Sequence, residues 1–247
     1  MRPTPWPVDS MRGLRFERCF FDNCAVYPSE PGVERTRLRN IAVVDCRVWA
    51  CHVDEAIVED VVVDGLKTGG SGGRTIGFSV NGAALRHVVF RGRIGSVGIS
   101  VATRVWHRHN PSLFERLFHR DELSRRAREQ TIDEANARYY DGTDWALDIS
   151  EAHFYSVAIH GIPAHLIRRD FASQAVVTRT KAKQRLPEAF EQFPELGNTY
   201  WPYELERFLR DDSAQEVVLV APRRHPTFKV QLDGIKMLRD AGVAETE

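Results

Sequence analysis

The sequence predicts a mainly β repeat architecture: a solenoid of short units, interrupted by a helical insertion and ending in a small α/β cap. Three observations predict it. From Thr36 to Thr68 an apolar or small residue is followed two positions later by another, and the pair recurs every fifth residue: Thr36 and Leu38, Ile41 and Val43, Cys46 and Val48, Cys51 and Val53, Ala56 and Val58, Val61 and Val63, Leu66 and Thr68. The same signal recurs in other phases, from Leu14 to Val26, from Phe78 to Phe90 and from Leu147 to Ala164. Residues 111–140 and those beyond Lys181 lose the period and take up helical spacing. A helix would need apolar residues three and four apart, and a plain strand would need unbroken alternation. A fixed short period instead means units that bury their inward residues only by stacking on their neighbours.

Composition narrows the class. The chain has 247 residues, with 34 Lys and Arg against 34 Asp and Glu. That balance selects neither a nucleic acid nor an acidic partner. The first thirteen residues lack the apolar stretch of a signal peptide, and no run approaches the roughly 20 apolar residues of a membrane span. The expectation is a soluble, cytoplasmic protein with no membrane association.

Taken in order, residues 1–13 carry three prolines and Trp6. The end of a solenoid exposes an apolar cross-section, so Trp6 is expected to cover the first coil. The segment from Pro28 to Arg35 reads as a loop that shifts the phase by two residues. GGSGG, within Leu66–Thr75, lacks the G-K-[ST] ending of a phosphate loop and reads as a flexible connection. Trp106-His107-Arg108-His109 has no acidic or cysteine partner at ligand spacing and reads as a turn. In the insertion 111–140, Ser112 with Glu115 and Thr131 with Glu134 look like capping boxes. They predict two or three short helices presenting Phe114, Leu117 and Phe118 to the solenoid wall. From Val101 the insertion holds eight arginines and six acids, too small an excess for a nucleic-acid surface. Ala175–Thr180 reads as a last strand of the solenoid domain, residues 1–180. The region 181–247 reads as a helix at Pro187–Phe193, a second from Pro202, a strand at Glu216–Ala221 and a final helix from Pro226 or Thr227, ending before Gly242.

RCFFD-NCAVY and CRVWA-CHVDE-AIVED resemble units of the pentapeptide-repeat family, and the resemblance extends over about half of the chain. It implies a right-handed, four-sided parallel β-helix with one pentapeptide per side and four per coil. The second inward residue is mostly Val here, where the family favours Leu or Phe.

The four cysteines, Cys19, Cys24, Cys46 and Cys51, all take the first inward position of a unit. Buried thiols are therefore expected in place of a zinc site. G-x-S-x-G, H-E-x-x-H, Walker and dinucleotide-binding motifs are not found, and no cofactor or metal is expected. Asp54, Glu55, Glu59, Asp60 and Asp64 form an outward acidic strip, the candidate docking surface for a protein partner. His153, His160 and His165 lie beside inward positions, and the repeat gives them no role. The functional expectation is a non-catalytic protein-interaction or scaffold solenoid. The resemblance offers an alternative, a DNA mimic that protects type II topoisomerases. A further alternative is a β-helix carbohydrate enzyme using outward carboxylates such as Asp45, Asp54 and Asp64, whose chemistry the fold alone does not supply.

Overall fold

The computed structural model describes residues 10–26, 35–69, 77–101, 122–210 and 214–246. Trp6, the loop from Pro28 as far as residue 34, GGSGG after Gly69, the Trp106–His109 turn and the Ser112 capping box with Phe114, Leu117 and Phe118 lie outside these residues. The described chain is mainly β, with a large curled parallel sheet and four α-helices. Its strands are β1 (Ser10–Arg12), β2 (Arg15–Glu17), β3 (Phe20–Asp22), β4 (Ala25–Val26), β5 (Arg37–Trp49), β6 (Cys51–Asp54), β7 (Ile57–Gly69), β8 (Phe78–Asn81), β9 (Ala84–Ser100), β10 (Leu147–Asp148), β11 (Ala152–His160) and β12 (Ile167–Arg168).

These twelve strands form one sheet. Every pairing in it is parallel. The register fixes its arithmetic. Arg37 lies beside Ile57, Cys46 beside Leu66 and Leu147 beside Ile167, each twenty residues on. The chain thus returns over itself in layers. Ile57 pairs with Ala84 and Val88 with Leu147, so the excess length leaves as loops without disturbing the stack.

The five-residue period has a backbone cause that the apolar pattern alone does not reveal. Positive φ occurs at Gly13, Arg18 and Asn23, then at Asn40, Asp45, Ala50, Glu55, Asp60 and Gly65, then at Gly82, His87 and Gly92. Each of these residues except Gly92, which is followed by the exposed Arg93, turns the chain immediately before the first residue of an inward pair. Asn, Asp and Gly tolerate this left-handed conformation best. Gly65 is required on a second count: a β-carbon there would stand 2.7 Å from Asp45 Oδ1 in the layer before. Between corners the inward pairs are buried, among them Leu38, Ile41, Cys46, Val48, Ala56, Val58, Leu66, Val80, Leu85, Phe90, Ile149 and Phe154. Cys46 and Cys51 are interior thiols whose Sγ atoms face the carbonyls of Val44 at 3.3 Å and Trp49 at 3.2 Å. Burial raises the pKa of both.

The insertion differs from its expected form. Among the described residues of the insertion one helix, α1 (Glu122–Tyr140), runs through the second expected start at Thr131. Thr131 does not start a helix. Its hydroxyl donates to the Ala127 carbonyl one turn back, at 2.9 Å, so it sits inside the helix. The helix packs on the curled sheet. The Asn136 amide donates to the carbonyls of Gly82 and Val101 at 3.2 and 3.0 Å and accepts from Arg35 at 2.7 Å. The Leu85 amide donates to the Tyr140 hydroxyl at 3.2 Å.

The strand expected at 175–180 forms as β13 (Gln174–Thr178), but it pairs antiparallel with β14 (Glu216–Val220) in a separate two-stranded sheet. The helix expected from Pro187 starts earlier, as α2 (Arg179–Gln192), with Pro187 inside it. Thr178 caps it by accepting from Lys181 N. Then follow α3 (Trp201–Arg210) and α4 (Phe228–Asp240). The small sheet is a shared layer. Val176, Val218 and Val220 join the core of the large sheet, while Ala175, Val177, Val217 and Leu219 join a second core beneath the helices. The period-two alternation of a strand places them on opposite faces.

The large core is not packed throughout. A cavity of about 530 Å³ lies inside the curl, between the first layer and Leu85, Phe90 and Ile99 in the fourth. Left empty and sealed, an apolar void of that size would cost on the order of 10 kcal/mol, as much as a whole domain's stability.

Candidate functional site: a cleft between two unpaired strand edges

The expected acidic strip resolves into pairs within the chain. Asp54 accepts from Asn81 at 2.8 Å and lies 3.5 Å from His52. Glu55 meets Arg128 of α1. Glu59 is 2% exposed and bound to Arg39, to Arg86 at 2.8 Å and to the Tyr139 hydroxyl at 2.8 Å. Asp60 contacts His87 at 3.1 Å and Asp64 contacts Arg91 at 2.9 Å. The register explains the pattern: Arg39, Glu59 and Arg86 occupy one position in successive layers, so opposite charges stack as cross-strand neighbours. Burial opposes the charge on Glu59, but the bonds from Arg39 and Tyr139 and the nearby Arg86 outweigh it and lower its pKa. Asp45 is a corner residue packed over Gly65. These acids join layers and dock α1.

A different region has the form of a binding site. A cleft of about 500 Å³ separates β11 from the C-terminal subdomain, within the range common for ligand sites. Consecutive residues line it on both sides, Tyr155 to His160 on β11 and Val217 to Val220 on β14. Alternate side chains of a strand point to opposite faces. A space touched by every residue of a run therefore lies along the strand's edge. Among the described strands β11 pairs only with β9, and β14 only with β13. The cleft thus runs between two strand edges that have no partner. The loop after β14 fixes their relation: Arg224 N donates to the Phe154 carbonyl at 3.0 Å and its guanidinium to the Ile94 carbonyl at 2.8 Å.

The remaining wall is aromatic and polar. Trp201 is locked in place, its indole N–H donating to the Gln231 carbonyl at 2.8 Å while Gln231 Oε1 accepts from Tyr200 N at 2.9 Å. Gly234 permits this close approach, since a β-carbon there would stand 2.6 Å from the Trp201 ring. Tyr200 is half exposed and pairs with Tyr203 at 5.4 Å between ring centres. Burial and the hydrogen bond to Glu204 raise its pKa, keeping the phenol a donor. Glu204, 8% exposed, holds Arg207 at 3.1 Å, and Arg207 donates to His160 Nε2. That contact makes His160 an acceptor, with its proton on Nδ1. Opposite, Tyr155 packs on His225 at 5.2 Å.

His160 is therefore the one of the three unexplained histidines that enters the cleft, while His153 and His165 are exposed. Tyr155, Tyr200, Trp201, Glu204, Arg207 and Gln231 carry no motif. The only sequence signal for them is the run of aromatics at Tyr200, Trp201 and Tyr203 opening an amphipathic helix. Among the described lining residues Glu204 is the one carboxylate, and it is already bound to Arg207 and Tyr200. Glycoside cleavage needs two carboxyl groups across the scissile bond, roughly 5–10 Å apart. This wall supplies hydrogen bonds and aromatic surface. The chain was compared with protein-family models, curated proteins and solved structures, and none of them matches it.

Proposed function

We propose that this protein is a non-catalytic interaction module in which a pentapeptide-type solenoid acts as the scaffold and the cleft between β11 and β14 captures an extended segment of another protein. For the scaffold we infer a closed, right-handed β-helix. The reading rests on the twenty-residue register and the left-handed corner at every fifth residue, and parallel crossovers are right-handed in nearly all cases. The observation that carries the binding reading is the pair of unpartnered edges facing one cleft. An added strand would take main-chain hydrogen bonds from an edge, and alternate side chains would read the walls. Tyr155, Tyr200 and Trp201 supply rigid apolar surface. The DNA-mimic reading needs a line of uncompensated acids. The acids of the strip each have a partner within the chain, and the net charge is zero.

A displayed library of extended peptides tests this. Sequences selected on the full chain should bind it and lose binding at least tenfold to Ala158→Arg, which fills the cleft, at an unchanged melting temperature. Selection that never rises above background, or peptides indifferent to Ala158→Arg, would refute the proposal.

A further inference from the structure

The cavity inside the curled sheet is a second site, remote from the cleft. Its position follows from residue size. Val43, Val48, Val53, Val58, Val63 and Val80 are the second inward residues of their units and line it. Below them Phe90 fills the same kind of position and stacks toward Phe154, with ring centres 6.2 Å apart. Larger side chains thus make a floor in the fourth and fifth layers, and valines leave the second and third layers hollow. Toward the first layer the space is bounded by Met11, Phe16, Phe21 and Val26, all only partly buried. Layers in a parallel sheet are about 4.8 Å apart, so three steps make the hollow about 14 Å deep. A volume of about 530 Å³ over that depth is a narrow tube. Among the described residues its lining is aliphatic and aromatic apart from the Cys24 and Cys51 thiols, Thr36 in the second layer, and His52, which faces outward 3.5 Å from Asp54.

We infer that this tube binds one unbranched acyl chain, its tail against Phe90 and its polar end toward Thr36. Three features select that ligand class. The tube is longer than it is wide, which suits a chain, and too large for a small gas or solvent molecule. Apart from Thr36 its described inward side chains offer no strong hydrogen-bonding group, so a polar ligand would lose its hydration without replacement. An acyl chain, in contrast, gains from burial along its length. Neither the corners nor the layer pairs demand valine at these positions, because Phe occupies the equivalent position at Phe16, Phe21 and Phe90 without breaking the stack.

Calorimetry and native mass spectrometry on the full chain test the inference, with laurate and lauroyl lysophosphatidylcholine as probes. One molecule should bind per chain and raise the melting temperature. Tighter binding of laurate points to a free acid, and tighter binding of the lysolipid to a membrane-derived chain. The double variant Val48→Phe/Val63→Phe fills the tube and should weaken binding at least tenfold. If it does not fold, Val63→Leu should give a smaller loss in the same direction. Peptide capture at the cleft should be unaffected by either variant. The inference is overturned if neither probe binds below its micelle concentration, or if the filled variants bind as well as the native chain. It is equally overturned if binding appears only after residues 1–9 are removed, since the leading segment would then be the occupant.

Discussion

His87 is held by carboxylates on both ring nitrogens, Asp60 at 3.1 Å and Asp144 at 2.7 Å, and its ring lies 4.6 Å from Trp145. With neither nitrogen spare it joins layers and cannot serve as a base. Burial alone would lower its pKa, but the bonds to Asp144 and Asp60 win and raise it. A histidine whose folded pKa exceeds its unfolded value of about 6.5 stabilises the fold fully below that value. The contribution is lost as pH rises through the higher folded value. Replacing it by Asn, which tolerates the positive φ of 55°, should therefore lower the melting temperature more near pH 6 than near pH 9. Thermal scans of both proteins across that range would show it, and an equal deficit at both ends would contradict the doubly bonded imidazolium. Nothing in the sequence singles out His87. Its partners come from neighbouring layers and from the segment after α1, and no local pattern encodes those distances. The same holds for Glu59, which reads as a solvated acid and is in fact a buried one clasped by two arginines and a tyrosine.

At the level of elements, the inward pairs were legible because the five-residue period puts their burial into the local sequence. Their corners were legible in principle too. Asn40, Asp45, Asp60 and Gly65 mark them at multiples of five, but Ala50, Glu55 and His87 are poor turn residues and obscure the series. Helix α1 was legible as a helix and misplaced in its internal starts. Thr131 with Glu134 has the spacing of a capping box, yet a threonine hydroxyl also satisfies itself on a carbonyl four residues back. Cross-layer packing then decides between the two. Asn136 does most to seat the helix, since it satisfies Gly82, Val101 and Arg35 together. Asn136→Leu would leave two carbonyls and a guanidinium without these bonds, at a cost of about 3 kcal/mol. Hydrogen exchange should be slow over residues 127–140 in the native chain and much faster in the variant, with β9 still protected. Fast exchange across the helix in the native chain would show that it is not seated on the sheet.

The whole molecule has unlike ends. Val176, Val218 and Val220 cover the last layers, whereas Phe16, Cys19 and Phe21 in the first layer remain half-buried, and Leu14 and Phe20 are exposed. In a stack held by nearest-neighbour contacts, a layer with one neighbour opens most easily. Amide exchange should accordingly be fastest in β1–β4 and slow progressively through β5 and β7 to β9. Uniform protection of all layers would mean a single cooperative unit. The cleft was the least legible feature, because it depends on which edge each strand leaves open, and that is a property of the assembled sheets. The twenty-residue register has one more consequence, for how such a chain can change length. Duplicating twenty residues, such as 37–56, reproduces every corner and the inward register, so the copy fits as an added layer. Five extra residues between Arg39 and Glu59 keep the inward phase but move Glu59 away from Arg39. Any other number must leave the stack as a loop. Descent by tandem duplication would thus be scored in steps of twenty, with drift recorded in the connections between layers, which is where the excess over that step lies, between Gly69 and Phe78 and between Val88 and Leu147.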